Sequence, residues 1–328
     1  MDLKNSTKNQ HFLSQSEQRL NAINPGSGRE KKYRIFEFDV VDRENFQLSL
    51  CSDRGSLIGS TLSIHDLFSF DVLDRKADRY NFEELFYQYE SKISSTTDEL
   101  LRKIESVGEN IASEVVNLFA MKLFNFVRNP YSIHKILNTF PMLRSLQPVD
   151  ATHLANFNKV LAGRKPQQEF LCRKLQISDK EYVEWLGTIF LLLTPLASGG
   201  QNFHNETVRG LFESKDLYVM VIIYTYDHHA CLLSDRGFSE PLVSGDVHTA
   251  YDFNLYSKGF IRYTFTSIDS IIPPGMAEKN VEKFKENKTV TVYHHRNDLK
   301  MLEKYNAHVI YQCHEKVFCS SRAVLGAK

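Results

Sequence analysis

The stretch Leu217 to Tyr226 reads LYVMVIIYTY, an almost unbroken run of β-branched and aromatic residues. Such a run predicts a strand that is buried on both faces. More strand patterns follow, at Ala230 to Ser234, His248 to Tyr256, Phe260 to Ile268, Thr289 to His294 and Lys316 to Ser320. We therefore predict a β-rich region from residue 201 to residue 328.

Upstream of this strand the sequence predicts helices. Apolar residues recur at helical spacing from about Asn110 to Val127 and from Asp179 to Leu193. Ser178 and Glu181 have the spacing of a capping box in front of the second helix. Pro130 is expected to end the first helix, because proline disfavours helical backbone at the residue before it.

The N-terminal part predicts a small β hairpin. Tyr33 to Val41 and Phe46 to Cys51 are its two strands, after a turn at Pro25 to Gly28. A hairpin, a helical middle and a β-rich C-terminal third form an α+β pattern. We expect a single α+β unit over residues 1 to 328, because no long linker divides the chain. The alternative is a subdivision into residues 1 to 200 and 201 to 328.

The balance of charged residues excludes a strong electrostatic field of one sign around the whole protein. Lys plus Arg number 40 and Asp plus Glu number 40, so no net charge directs the chain toward nucleic acid or an anionic membrane. The densest basic run, Arg29 to Arg34, is interpreted as a solvated loop rather than a phosphate contact. A Gly-rich phosphate loop, a nucleophile elbow and a dinucleotide fingerprint are missing, which disfavours the common nucleotide-hydrolysing and α/β-hydrolase enzymes.

The apolar segments and the cysteines indicate in which cell compartment the protein is expected. Trp185 to Ala197 is the most apolar segment, but it is shorter than the roughly 20 residues of a membrane span. The segment Met1 to Gln10 is polar, so no signal peptide is expected. The 5 cysteines are odd in number and scattered, which fits a reducing cytosol better than a disulfide framework. We expect a cytoplasmic protein without membrane association.

Short motifs follow one another in a fixed order along nearly the whole chain. They are Asn9-Gln10-His11-Phe12-Leu13, Leu20-Asn21, Tyr33 to Asp39, Tyr89-Glu90-Ser91-Lys92-Ile93, Arg128-Asn129-Pro130, Leu233-Ser234-Asp235, Phe253-Asn254-Leu255, Asn306 and Val317 to Ser320. In this order they resemble the motifs of a bacterial family, the domain of unknown function 4238 family, whose members begin with a Gln-His signature.

The resemblance implies no particular reaction. It associates the chain with mobile elements and phage-defence neighbourhoods, which suggests an effector or toxin role by analogy. The chain departs from the family pattern at two places. Arg236-Gly237 stand where the family has Asn-Pro, and Asn254 stands where it has proline. A site shaped by these positions would be altered in this chain.

Gln10 with His11, and Asp235, are the main candidates for chemistry. A neutral imidazole titrates near neutral pH, so His11 can serve as a general base or as a metal ligand. The alternative is a histidine that holds the N-terminal segment onto the body by hydrogen bonds. Asp235 ends a predicted strand, where a carboxylate can bind a metal or a substrate. The alternative for Asp235 is a turn that begins before Arg236-Gly237.

Two other groups of side chains suggest metal binding more weakly. In Asp227-His228-His229 the first and third residues can lie on the same face of a strand, and His294-His295 is a second cluster. A solvated hairpin turn is the favoured interpretation over a metal site. Glu37 and Asp39 lie on one face of a predicted strand, with a spacing that metal nucleases use. Because two carboxylates repel unless a cation lies between them, a solvent-facing strand is favoured there.

Arg128 and His134 have the spacing of the Arg-x(4–6)-His motif of HEPN-type ribonucleases, which cleave RNA without a metal. Pro130 lies between them and would break the helix that usually carries the motif. The alternative is that Pro130 occupies the first turn of a new helix.

Three functions are carried forward. The first is a nuclease-like effector on nucleic acid, a hydrolase if it is an enzyme, in which Gln10, His11 and Asp235 are catalytic and His11 and Asp235 hold a divalent metal. The second is a non-catalytic regulatory protein with a protein partner, for which a broad apolar patch would be the sign. The third is a metal-independent HEPN-like ribonuclease that uses Arg128 and His134.

Overall fold

The computed structural model describes residues 3–25, 32–73, 77–106, 108–241, 248–273 and 275–328. Helices make up 44% and strands 22% of the chain, with an N-terminal hairpin region, a helical middle and strands in the C-terminal part, so the predicted α+β class is confirmed. Most of the predicted turn at Pro25 to Gly28, and Arg29 and Lys31 of the basic run, lie outside the described residues.

The strands are β1 (Asn9–His11), β2 (Arg34–Asp42), β3 (Gln47–Leu50), β4 (Ser56–Leu57), β5 (Ser63–His65), β6 (Phe70–Leu73), β7 (Ala77–Tyr80), β8 (Leu217–Thr225), β9 (Leu233–Ser234), β10 (His248–Tyr256), β11 (Gly259–Ser267), β12 (Thr291–Arg296) and β13 (Lys316–Cys319). The helices are α1 (Gln15–Leu20), α2 (Glu83–Glu90), α3 (Ile93–Ile104), α4 (Ala112–Arg128), α5 (Ile133–Thr139), α6 (Ala151–Ala162), α7 (Gln168–Leu175), α8 (Asp179–Leu193), α9 (Phe203–Glu213), α10 (Ile268–Ile271), α11 (Glu278–Asn287) and α12 (Leu299–Gln312).

The predicted strand at Leu217 is β8, an inner strand of a sheet with the order β10-β11-β8-β12. It pairs antiparallel with β11 and parallel with β12. Val219, Val221 and Ile223 are buried, whereas Met220 and Ile222 between them are partly exposed. The prediction of burial on both faces therefore holds only at the C-terminal end of β8.

A second sheet joins the two ends of the chain. The predicted hairpin is present, because β2 pairs antiparallel with β3. The last strand, β13, lies between β2 and β9 in the order β3-β2-β13-β9, and β4 also pairs with β2. Strand pairing therefore crosses residue 200, although the division into one or two domains stays a prediction.

The predicted strand from Ala230 to Ser234 is mostly irregular. Only Leu233 and Ser234 form β9. The N–H of Leu232 donates to the Asn306 side-chain oxygen at 3.1 Å instead of to a neighbouring strand. A side chain from α12 thus replaces the sheet hydrogen bond, and the sequence around Ala230 carries no signal for it.

The helical middle packs around α8. Its residues Trp185 and Leu186 are buried, and the Trp185 indole donates to the Val127 carbonyl at 3.0 Å. The capping box predicted from Ser178 and Glu181 is present at the start of α8. α4 ends at Arg128 as predicted. Among the described residues no helix combines the length and the apolarity that crossing a membrane requires.

Candidate functional site

Gln10 is buried, and its carboxamide is fully engaged with neighbouring segments. Its oxygen accepts from the Phe68 N–H at 2.5 Å. Its nitrogen donates to the Ser69 hydroxyl at 3.0 Å and to the Thr7 carbonyl at 3.2 Å. β1 also pairs antiparallel with β5. These contacts hold the N-terminal segment against residues 63–69, which is the structural alternative that the sequence left open.

His11 is partly buried, and both ring nitrogens have neighbours. Nε2 lies 3.3 Å from the Ile58 carbonyl oxygen, and Nδ1 lies 3.4 Å from the Gln15 side-chain nitrogen. Because a carbonyl can only accept, Nε2 carries the proton in this arrangement. Burial lowers the pKa of His11 to about 4, and the positive charge of Arg128 contributes to the lowering. The imidazole is therefore neutral at neutral pH.

Asp235 is buried at the end of β9 and binds backbone groups. Its carboxylate accepts from the N–H groups of His314 at 2.7 Å, Glu315 at 2.6 Å and Lys316 at 2.9 Å. Burial raises the pKa of Asp235, and the three backbone donors act in the opposite direction. The carboxylate thus ties the end of β9 to the start of β13.

Two aromatic contacts connect the segments that carry His11 and Asp235, and the catalytic role of these two residues stays a prediction. Between the two segments, the Phe12 ring lies edge-on to Tyr131 at 5.9 Å, and Tyr131 stacks on His314 at 4.5 Å. His314 in turn donates its N–H to Asp235. Across the described ranges, no three His, Cys, Asp or Glu side chains group as metal ligands would. The divalent metal at His11 and Asp235 therefore gains no support from the geometry.

A buried charge network joins α1 to α4. Glu17 forms an ion pair with Lys122 and accepts from the Asn125 amide at 2.5 Å. Asn125 accepts from Arg128 at 3.2 Å, and Arg128 forms an ion pair with Glu90. Glu17, Lys122 and Arg128 are each only 1% exposed, so this network replaces their hydration. Burial lowers the pKa of Arg128 to about 10.

From the sequence, we considered only Arg128 of this network as a site residue. The available signal was the recurrence of Lys122, Asn125 and Arg128 at three-residue spacing in the otherwise apolar part of the helix from Leu118 onward. Polar residues at that spacing lie on one face of a helix. Their partners Glu17 and Glu90 could not be chosen from the sequence, because contacts between distant segments have no local pattern.

Residues from the quoted motifs meet in this region. Glu90 pairs with Arg128, and the Asn129 amide donates to the Asp235 carbonyl at 2.7 Å. Asn254, at one departure from the family pattern, exchanges hydrogen bonds of 2.8 and 3.0 Å with Asn21. At the other departure, Arg236 donates to Gln312 at 2.9 Å and pairs with Glu240 at 3.0 Å. Both departures therefore have defined structural partners.

The strand carboxylates Glu37 and Asp39 have a cation between them. The Lys316 ammonium lies 2.8 Å from Glu37 and 2.9 Å from Asp39. The Asp39 side chain is 57% exposed. The Glu37 side chain is only 17% exposed, so the favoured interpretation of a solvent-facing strand fits Asp39 rather than both carboxylates.

The histidine clusters near β12 have other partners. Asp227 accepts from the Asn297 amide at 2.8 Å and lies 3.3 Å from Arg296. His294 Nε2 lies 2.8 Å from the Thr225 hydroxyl, and the His295 ring stacks on Tyr224. Asp227 lies in a bend after β8, close to the favoured interpretation of a turn, whereas His294 and His295 lie within β12.

Arg128 and His134 lie in different surroundings. Arg128 is buried, whereas the His134 side chain is 62% exposed and lies 3.2 Å from Glu181. Pro130 begins a new helical turn, as the alternative foresaw, and the Asn129 side chain accepts from the Tyr131 N–H. Within the part of the chain that the structure describes, the two side chains share no hydrogen-bond or ion-pair partner, so the ribonuclease site stays a prediction.

A cleft of about 600 Å³ lies elsewhere on the helical middle, where α2, α4 and the start of α9 meet. We call it the amide cleft, because tyrosine, lysine and asparagine side chains line it: Tyr87, Tyr89, Lys92, Asn117, Asn202 and Asn205. Its described lining contains no carboxylate. The volume falls within the roughly 300 to 1,000 Å³ of pockets that bind small molecules.

The inner wall of the amide cleft is pre-arranged. The Tyr89 hydroxyl donates to the Asn205 side chain at 3.2 Å and accepts from the Asn202 amide at 3.1 Å. Asn202 also caps α9 by accepting from the Asn205 N–H at 2.9 Å. The Tyr89 ring is fixed by stacking on Phe124 and by an edge contact with His204.

The outer wall of the amide cleft offers unused groups. The Tyr87 side chain is 64% exposed. Within the described ranges, the side chains of Gln88, Lys92 and Asn117 have no hydrogen-bond or ion-pair partner. Lys92 precedes α3 and Asn202 precedes α9, so two helix N-termini add partial positive charge here. The sequence did not predict this cleft, because its residues are spread over several elements.

By fold and site, the chain is an α+β protein with a buried charge network and a solvent-open polar cleft. No family model matches it, and neither a curated protein nor a solved structure does. The resemblance to the domain of unknown function 4238 family therefore stays a prediction.

Proposed function

We propose that the protein binds a nucleotide, free or within a single strand, in the amide cleft, without cleaving it. The observation that carries the proposal is the combination of a free tyrosine face, unpaired amides and an unpaired lysine in one cleft. Aromatic faces stack on bases, amides bond to base edges, and lysine with helix N-termini favours phosphate.

The parts of the nucleotide can be assigned to parts of the cleft. The exposed Tyr87 ring is the stacking surface, because the Tyr89 ring is already covered by Phe124 and His204. Asn117 and Gln88 supply hydrogen bonds to the base edge. Lys92 lies beside the start of α3, where a phosphate would meet both its ammonium and the helix dipole.

The absence of a carboxylate from the described lining favours an anionic ligand over a neutral sugar. It also favours binding over hydrolysis, because the described lining offers neither a carboxylate nor a histidine as a general base. The neutral charge balance of the whole chain limits the electrostatic part of the affinity to the few charges at the cleft.

The test is fluorescence anisotropy with a labelled single-stranded oligonucleotide, with uridine monophosphate as competitor. Tyr87→Ala should weaken binding about tenfold, since stacking contributes roughly 1 to 3 kcal/mol per base. Lys92→Gln should also reduce the dependence of log Kd on log salt by about 0.7, the value for one phosphate contact on a single strand. Lys180→Gln, an exposed lysine on α8, is the matched control and should bind like the wild type.

Competition separates the two ligand sources. The site is assigned to free nucleotides if the monophosphate displaces the labelled strand at about the same concentration as unlabelled oligonucleotide, with both concentrations counted in nucleotides. Displacement only by the longer strand assigns it to single strands. The proposal would be overturned if Tyr87→Ala and Lys92→Gln bound the strand as tightly as the wild type and the Lys180→Gln control.

The nuclease-like prediction is tested in the same samples. It requires that the labelled strand is cut in the presence of a divalent metal and that His11→Ala, when folded, stops the cutting. An uncut strand with intact binding supports the proposal made here. A phage-defence role and a cytoplasmic location stay predictions alongside it.

A further inference from the structure

An aromatic cavity lies on the other side of His204 from the amide cleft. Its volume is about 140 Å³, and it is bounded by α4, α5, α9 and β10. Six rings line it: Phe119, Phe126, Phe140, Phe238, Tyr251 and Phe253. A cavity of roughly 150 Å³ with apolar walls holds a single benzene molecule, so this cavity has the size of one six-membered ring.

Three polar side chains in the wall of the aromatic cavity are already bonded. The Thr139 hydroxyl donates to the Lys135 carbonyl at 2.7 Å, and the Thr207 hydroxyl donates to the Phe203 carbonyl at 2.8 Å. His204 Nε2 lies 2.9 Å from the Ala120 carbonyl oxygen. A ligand in the cavity therefore meets mainly ring edges and faces, with the Tyr251 hydroxyl as a hydrogen-bonding group beside them, which favours an aromatic group over a wholly polar one.

The charge at the edge of the aromatic cavity is positive. Lys135 lines the cavity, with its ammonium 5.7 Å from the Phe126 ring and 5.8 Å from the Phe238 ring. Arg236 lies over the same Phe238 ring at 4.3 Å. Both cations pair with one carboxylate, that of Glu240, at 2.5 and 3.0 Å. Two cations and one carboxylate leave one positive charge unbalanced.

We propose that the aromatic cavity binds a small aromatic carboxylate, with its ring among the six side chains and its carboxylate beside Lys135. This site is separate from the amide cleft and does not depend on nucleotide binding there. The ring supplies the apolar contact, and the carboxylate shares Lys135 with Glu240 at the exposed end.

Ligand-observed NMR titrations with benzoate and benzyl alcohol test this site, because the two probes share a ring and differ in charge. The wild type should bind both, with benzoate preferred roughly fivefold, as expected for one partly screened charge pair. Lys135→Met should abolish that preference while still binding benzyl alcohol. Lys180→Gln, an exposed lysine on α8 that lines neither site, is the matched lysine control and should keep the preference.

Filling the cavity provides a second test. Leu211 lines the cavity and is only partly buried, so Leu211→Trp can fill the space with limited disturbance of the core. A folded Leu211→Trp variant should lose both probes. The proposal is overturned if benzoate fails to bind the wild type at millimolar concentration, or if a folded Leu211→Trp variant binds it unchanged. Should that variant not fold, the Lys135→Met result decides.

Discussion

At the scale of single residues, several buried polar side chains of this protein are matched with defined partners. Gln10 and Asp235 bind backbone groups of distant segments, and Glu17 meets Lys122 inside the core. Such groups stabilise the native state only while every partner is present, because an unpaired buried charge is strongly unfavourable. Their substitution should therefore change stability before it changes any chemistry.

Lys122→Met is the most direct substitution in the buried charge network. It leaves the Glu17 carboxylate buried without its cation, so we expect a loss of about 3 to 5 kcal/mol in the free energy of unfolding. The double variant Lys122→Met with Glu17→Leu should recover part of that loss, because no unpaired charge remains. Urea denaturation measures both. Equal stability of the two variants would show that the Glu17 carboxylate does not destabilise the fold when its cation is removed.

His204 should make stability depend on pH. It is buried, and burial lowers its pKa to about 4, from a normal value of about 6.5 in the unfolded chain. As the pH falls below 6.5, the imidazole is protonated in the unfolded state but stays neutral in the folded state. The free energy of unfolding therefore decreases down to about pH 4. His11 and His314, whose pKa values burial also lowers to about 4, act in the same direction.

His204→Gln tests this effect by urea denaturation at pH 7 and pH 5. The variant should lose about 2 kcal/mol less than the wild type between these values. His134→Gln is the control, since the His134 side chain is mostly exposed. Identical pH dependence in all three proteins would show that His204 is not buried as a neutral ring.

At the scale of the elements, local signals in the sequence were sufficient for long helices and strands. The capping box at Ser178 and the proline after Asn129 set the ends of α8 and α4, because each acts on backbone groups within a few residues. The short strands β1 and β4 to β7 have no periodicity of their own. They form because distant backbone segments pair with them, as β5 does with β1.

Ser178→Ala should test how much the predicted capping box contributes. The Ser178 hydroxyl accepts from the Glu181 N–H at 3.2 Å, and the Glu181 carboxylate accepts from the Ser178 N–H at 2.8 Å. Removal of the hydroxyl should cost about 1 kcal/mol in thermal or urea denaturation. Ser94→Ala, at an exposed position within α3, should be neutral or slightly stabilising. A cost no larger than that of this control would contradict the role of the cap.

The candidate site was less predictable than the elements. Gln10, His11 and Asp235 were predicted as catalytic residues, with His11 and Asp235 as metal ligands, and those roles stay predictions. The roles of these residues depend on which groups of other segments contact them. Contacts between distant segments cannot be predicted from a single sequence. Tyr87 and Asn117 of the amide cleft lie outside the quoted motifs, and Lys92 was quoted in one without a predicted role, because a cleft between helices arises only after packing.

At the scale of the whole molecule, Asp235 links the β-rich part to the N-terminal hairpin. It orients the start of β13, and β13 pairs with β2. Asp235→Asn should destabilise the fold by about 3 kcal/mol, since an amide cannot accept from all three N–H groups without bringing one donor against another. Asp39→Asn, at an exposed position, should change stability by less than about 0.5 kcal/mol. An Asp235→Asn protein of wild-type stability that had lost an activity would instead indicate a catalytic carboxylate.

The central claim is that the amide cleft, and not the surroundings of His11 and Asp235, is where a ligand binds. Photo-cross-linking of a 4-thiouridine-labelled strand, followed by mass spectrometry of the peptides, tests it most directly. The proposal predicts adducts in the peptide that contains Tyr87 and Tyr89, with fewer adducts in the Lys92→Gln variant. Adducts at residues 9–11 or 234–237, with none at Tyr87 or Tyr89, would contradict the proposal and favour the nuclease-like site.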